Sequence, residues 1–127
     1  LSALAVSLGQ SWIKRVSKMG INAFTKMGNT VAFTASTTAP SPVQALSTSL
    51  GGNQYRIINA GTVTVFLGYG STDTEASNNA VVVSSSQAAF PLLPGTDEIL
   101  TFVPNAYFTG ITSSGTASIY ITPGDGV

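Results

Sequence analysis

Cysteine and histidine are both missing from this chain. Without cysteine there is no disulfide, no thiolate nucleophile and no soft metal ligand, and the redox compartment leaves no mark. Without histidine the commonest general base and the commonest metal ligand are gone as well. Charge is scarce too: 8% of residues are charged, against roughly a quarter in ordinary soluble domains. Solubility therefore rests on Ser, Thr, Asn, Gln and Gly. A surface with so little charge has little repulsion to keep copies apart, which suits a chain whose surface is covered in its working state; a secreted β-domain rich in Ser and Thr fits the composition equally. No apolar run approaches the length of a membrane span. The 127 residues fit one domain, long enough to bury a core without covalent staples.

The few charges are unevenly placed. Lys14, Arg15, Lys18, Lys26 and Arg56 are the only basic residues, and Asp73, Glu75, Asp97, Glu98 and Asp125 the only acidic ones. A basic front and an acidic back cancel to a net charge of +0, and the front reads as an interaction segment. Five basic residues without a binding motif are too few for a nucleic-acid surface. The apolar start precedes the positive charges, the reverse of a signal peptide.

Two regions differ in character, 1–28 and 29–127. In the first, Leu1, Leu4, Leu8, Trp12, Val16 and Met19 recur at steps of three and four, one face of a helix. A short amphipathic helix and an extended arm lying on a partner both fit, because an isolated helix of this length is marginal in water. Trp12, with Lys14, Arg15, Lys18 and Lys26 nearby, is the expected anchor into another subunit or protein, since Trp is enriched at interface hot spots. Ser17-Lys18-Met19-Gly20 is echoed by Thr25-Lys26-Met27-Gly28, but two copies make no repeat architecture.

The second region alternates. Strands are expected over Thr30–Ser36, Gln54–Asn59, Thr62–Leu67, Ala80–Ser84, Gln87–Phe90, Glu98–Val103, Tyr107–Thr112 and Thr116–Thr122, with either a short strand or a loop around Val43–Leu46. Turn signals stand between them at Ala60-Gly61, Gly68-Tyr69-Gly70, Pro94-Gly95, Ser114-Gly115 and Pro123-Gly124. Ser71 to Asn79 reads as a polar excursion. The fold class is all-β: a jelly-roll-like sandwich of about eight short strands, preceded by the arm or helix.

Candidate chemistry is thin. Gly68-Tyr69-Gly70-Ser71 lacks the Gly-Lys-Ser/Thr and the long helix of a phosphate loop, and a turn accounts for its glycines. Tyr69, between them, is the best candidate for an exposed contact aromatic. Asp97 and Glu98 point to opposite faces of a strand. Asp73 and Glu75 could share a face, but the rest of a calcium loop is missing. No catalytic residue, metal ligand or cofactor is expected, so the chain reads as a non-enzyme.

Tyr55-Arg56-Ile57-Ile58-Asn59-Ala60-Gly61, running on to Val63-Thr64-Val65-Phe66-Leu67-Gly68, carries a family likeness. So do Pro91-Leu92-Leu93-Pro94-Gly95 with Glu98-Ile99-Leu100, and the ending Gly115-Thr116-Ala117-Ser118-Ile119-Tyr120-Ile121-Thr122-Pro123-Gly124-Asp125-Gly126. In this order they resemble small virion structural proteins of tailed bacteriophages, of the capsid cement or decoration kind. The resemblance spans roughly residues 30–127 and implies a jelly-roll-like domain on the outer capsid surface, clamping capsomers. Its implied partner is the major capsid protein; the near-absence of charge on a half-exposed sandwich adds self-association, most simply as a dimer, and neither nucleic acid nor membrane is expected as a partner. The alternative is a carbohydrate- or receptor-binding β-module of a phage fibre or tail.

Overall fold

The computed structural model of the protein describes residues 24–47 and 52–126. They form nine strands and one helix: β1 Thr25–Lys26, β2 Val31–Ala35, β3 Val43–Gln44, β4 Gln54–Asn59, β5 Val65–Gly70, α1 Asp73–Asn79, β6 Phe90–Leu92, β7 Asp97–Thr101, β8 Tyr107–Ile111 and β9 Ala117–Asp125. The all-β expectation holds at this level: two antiparallel sheets, with one short helix.

Pairing is nested. β2 pairs with β9, β3 with β8, β4 with β7 and β5 with β6, all antiparallel. Two further ladders, β4–β9 and β5–β8, join these pairs into sheets. Sheet one runs β2-β9-β4-β7, with β1 on the same edge of β9 as β2 but at its far end. Sheet two runs β3-β8-β5-β6. On one flank the sheets are stitched by bridges from Gly28 to Ser47 and from Ser36 to Ile111. On the other flank, among the described residues, β6 and β7 each end a sheet.

Alternation builds the core between the sheets. Phe33 and Ala35, Tyr55 and Ile57, Ile119 and Ile121 point inward from sheet one, and Val65, Leu67, Leu92 and Phe108 meet them from sheet two. Each fully buried large aliphatic contributes about 1.5–3 kcal/mol. Tyr55 meets Phe108 edge-on across the sheets, ring centroids 4.9 Å apart. Buried Asn59 has its side chain fully used: its amide donates to the Val63 and Leu92 carbonyls, and its Oδ1 accepts from the Gly61 N–H. That residue sets the turn after β4 and ties it to β6. Gly95 and Gly115, at φ +72° and +76°, make two turns that L side chains rarely allow.

Several expected elements moved. β5 starts at Val65 because the Asn59 bonds hold the chain in a turn as far as Val63. Gly68-Tyr69-Gly70 is the end of that strand and not a turn. The excursion at 71–79 contains α1, and Ala80–Ser84 forms no strand: both edges of β5, the nearest strand, are taken by β6 and β8. β1 pairs Thr25 and Lys26 with Asp125 and Gly124 of β9, and the Met27 N–H donates to the Pro123 carbonyl, so this end of the 1–28 segment lies against sheet one.

Candidate contact surface

No pocket opens among the described residues, and no group of three or more acidic side chains gathers there that could hold a metal ion. The described residues do offer surfaces. The two sheets offer different ones.

The outer face of sheet two is roofed. α1 is a seven-residue helix that begins on a sequence-encoded cap: Thr72 Oγ1 accepts from the Glu75 N–H at 3.2 Å, and the Glu75 carboxylate accepts from the Ser71 N–H at 2.7 Å. It buries only Ala76. What lets it lie flat is the strand below. A Cβ on Gly68 would run into the Ala76 carbonyl and the Ala80 backbone, and one on Gly70 into Glu75. The Asn79 amide then donates to the Tyr69 carbonyl at 3.0 Å. Beside it the Thr109 hydroxyl, also on this face, donates to the Pro40 carbonyl at 2.7 Å.

The outer face of sheet one carries no such roof among the described residues. Register gives its rows: Ala32–Tyr120–Ile58–Asp97, then Thr122–Arg56–Ile99. Tyr120 and Ile99 are 41% and 40% exposed, unusual for large apolar side chains in mid-strand. Arg56 donates to Asp97 at 2.7 Å, the one ion pair among the described residues, and it lies diagonally across this face. Thr34 and Ser118 continue the surface, and Thr30 and Thr122 share a hydroxyl hydrogen bond of 2.7 Å. The result is a weakly polar face whose charges are Arg56, Asp97 and, beside Gly124 at its far end, Lys26. At its far end Gly124 leaves room for the Phe24 ring, so the N-terminal segment reaches sheet one on this side.

The residues expected to make contacts are scattered by comparison. Trp12, Lys14, Arg15 and Lys18 lie outside the described residues. Lys26 is exposed in β1, opposite Gly124. Tyr69 is half-buried rather than displayed: it points between the sheets and packs edge-on against Phe102, centroids 4.9 Å apart. Asp73 and Glu75 serve the start of α1: the Asp73 carboxylate accepts from the Thr74 N–H and that of Glu75 from the Ser71 N–H. Reading the residues one by one missed the Arg56, Ile58, Ile99 and Tyr120 surface. Its signal was present as the outward half of the same alternation that identified the core.

Tyr55 is the most unusual ionisable group. Its hydroxyl donates to the Val103 carbonyl and accepts from the Ala106 N–H at 3.1 Å. Burial pushes the phenol above its ordinary value of 10.0, and the Ala106 N–H, which favours the phenolate, pulls part of that back. Neither bond leaves the oxygen open to a substrate, so this is a structural anchor. No helix among the described residues is long and apolar enough to cross a membrane. No family model, curated protein or solved structure matches the chain.

Proposed function

We propose that this chain is a structural component of a bacteriophage virion, a cement or decoration protein that binds the outer capsid surface between capsomers and reinforces the head. The observation that carries the reading is the unroofed, weakly polar outer face of sheet one, in a domain that offers no pocket among its described residues. Such a face suits contact with another protein surface. The sequence resemblance selects a virion over other assemblies. The nested pairing supports a jelly roll: a long hairpin whose two arms wrap together gives this order of strands.

In this reading the chain performs no covalent chemistry and holds no cofactor. Its partners are the major capsid protein and other copies of itself. The segment ahead of Phe24, with Trp12 and the basic residues Lys14, Arg15 and Lys18, supplies directed contact with a partner. Reinforcement follows by linkage, because a protein that binds only the intact shell stabilises it against loss of subunits. The sugar-binding alternative leaned on Tyr69, whose ring is packed inward.

Electron microscopy of particles with and without the protein tests this. Density on the shell exterior between capsomers is expected, together with heads that rupture more readily when the protein is missing. Density confined to the tail, or none on the particle, overturns the assignment.

A further inference from the structure

The two sheets end on strands of opposite character. β6 is three residues long with Pro91 at its centre, so it lacks a donor and is a poor template for another strand. β7 has five residues, no proline, and no strand on its far edge among the described residues. Its hydrogen-bond phase is fixed. Phe102 N–H donates to Asn53 O, and Asn59 N–H donates to Thr96 O. Alternation then turns the backbone groups of Asp97, Ile99 and Thr101 away from β4 and toward solvent.

We propose that β7 pairs with β7 of a second copy, antiparallel, about a two-fold axis at Ile99. The inference rests on the self-association in the reading above and adds the surface and register to it. Three things favour a second copy as the occupant. First, this register is self-complementary. Ile99 meets Ile99 of the partner subunit, Asp97 meets the partner's Thr101, and Glu98 meets the partner's Leu100. No carboxylate is set directly opposite another, although the strand carries two. Second, the outward-facing residues Asp97, Ile99 and Thr101 are the ones that hydrogen bond in this register, giving three pairs and about six backbone hydrogen bonds. Third, a net charge of +0 leaves no overall repulsion between copies. The half-exposed Ile99 becomes the centre of the joint, flanked on each side by an Arg56–Asp97 pair. The axis is perpendicular to the sheet, so both unroofed faces end on the same side as one continuous surface. That is the arrangement a closed, isologous dimer allows.

Two variants of the full chain test the joint. Ile99→Pro removes an outward N–H and the isoleucine side chain at the centre of the joint, and leaves the β4–β7 ladder its donors. Sedimentation should show a monomer–dimer equilibrium for the parent chain, with the dissociation constant raised about tenfold or more in the variant. The second variant uses the absence of cysteine. Ile99→Cys should form an inter-subunit disulfide on mild oxidation, because facing Cα atoms in such a pair are about 5.5 Å apart, within disulfide reach. Thr101→Cys should not, because the two copies of that residue lie about 13 Å apart along the strands. A parent chain that stays monomeric at all concentrations overturns both the self-association and the joint. A dimer indifferent to Ile99→Pro, or one that cross-links as readily through Thr101→Cys, overturns the joint alone.

Discussion

Ala32 and Gly68 occupy equivalent places, each an outward-facing position in a strand of its sheet, yet they meet different surroundings. Above Ala32 there is solvent; above Gly68 there is the backbone of α1 and its exit. The difference teaches how little sequence it takes to roof a sheet. α1 has no apolar stripe and buries one alanine. It stays because a polar cap starts it and two glycines leave space below it. On sheet one the outward positions from Ala32 across to Asp97 carry full side chains, and among the described residues only Gly124, at the far end, has a ring, that of Phe24, laid against it.

The sharpest way to break this comparison is to insert the same side chain on both faces. Gly68→Val adds a Cβ where the Ala76 carbonyl and Ala80 backbone already stand, and those atoms cannot rotate away. Overpacking of this kind costs about 1–3 kcal/mol or more, and α1 has to lift. Ala32→Val adds similar volume to an exposed position in a strand, where valine is well suited, and should change stability by no more than about 0.5 kcal/mol. Denaturant unfolding of both variants reads the difference directly. Equal midpoints would mean that α1 does not rest on β5.

The same contrast explains what the sequence made legible. β4 falls on its expected span, and β2 and β8 fall within theirs, because a period of two with buried Phe33, Ile57 and Phe108 identifies a half-buried strand. α1 was hidden because helix periodicity needs an apolar face, and this helix has only Ala76. The Thr72-to-Glu75 capping spacing was its one local sign. Gly68 and Gly70 looked like a turn because glycine also marks close approach of another backbone, and one sequence does not separate the two causes. Tyr69 then passed for an exposed residue when its strand turns it inward. For the candidate surface, alternation showed which residues leave the core. Which outward face stays bare depends on where α1 lands, and that is a tertiary fact.

Tyr55 sharpens the comparison by joining the sheets that otherwise differ. It belongs to β4 of sheet one, and its hydroxyl holds Val103 and Ala106 in the turn that leads into β8 of sheet two. Tyr55→Phe keeps the ring against Phe108 but strips the Ala106 N–H, in a buried residue, of its acceptor. The expected loss is about 1–3 kcal/mol. The pH dependence has a definite sign. The folded phenol titrates above the unfolded one, so its contribution is complete below pH 10.0 and is lost as pH rises through the raised folded value. Unfolding midpoints of the parent chain should therefore fall on this limb, and in Tyr55→Phe the fall should be smaller. An unchanged alkaline limb in the variant would remove Tyr55 as its source.

Arg56→Ala gives the smallest effect on folding and probes the bare face itself. The side chains of Arg56 and Asp97 are 48% and 53% exposed, so water and salt screen most of their attraction. An exposed pair of this kind is worth about 0–1 kcal/mol, toward the lower end at physiological ionic strength. A double-mutant cycle with Asp97→Ala should return a coupling in that range, shrinking as salt is added. At the proposed capsid contact the balance would change. If a flat partner covers sheet one, the same pair loses its water, its attraction strengthens, and removing Arg56 leaves the Asp97 carboxylate covered and unpaired. Arg56→Ala should therefore fold nearly as well as the parent chain and yet occupy capsids less fully in a sedimentation assay of decorated heads. An equivalent loss in Ser71→Ala, on the roofed side, would show that both faces are contacted and that the contrast between the sheets does not decide binding.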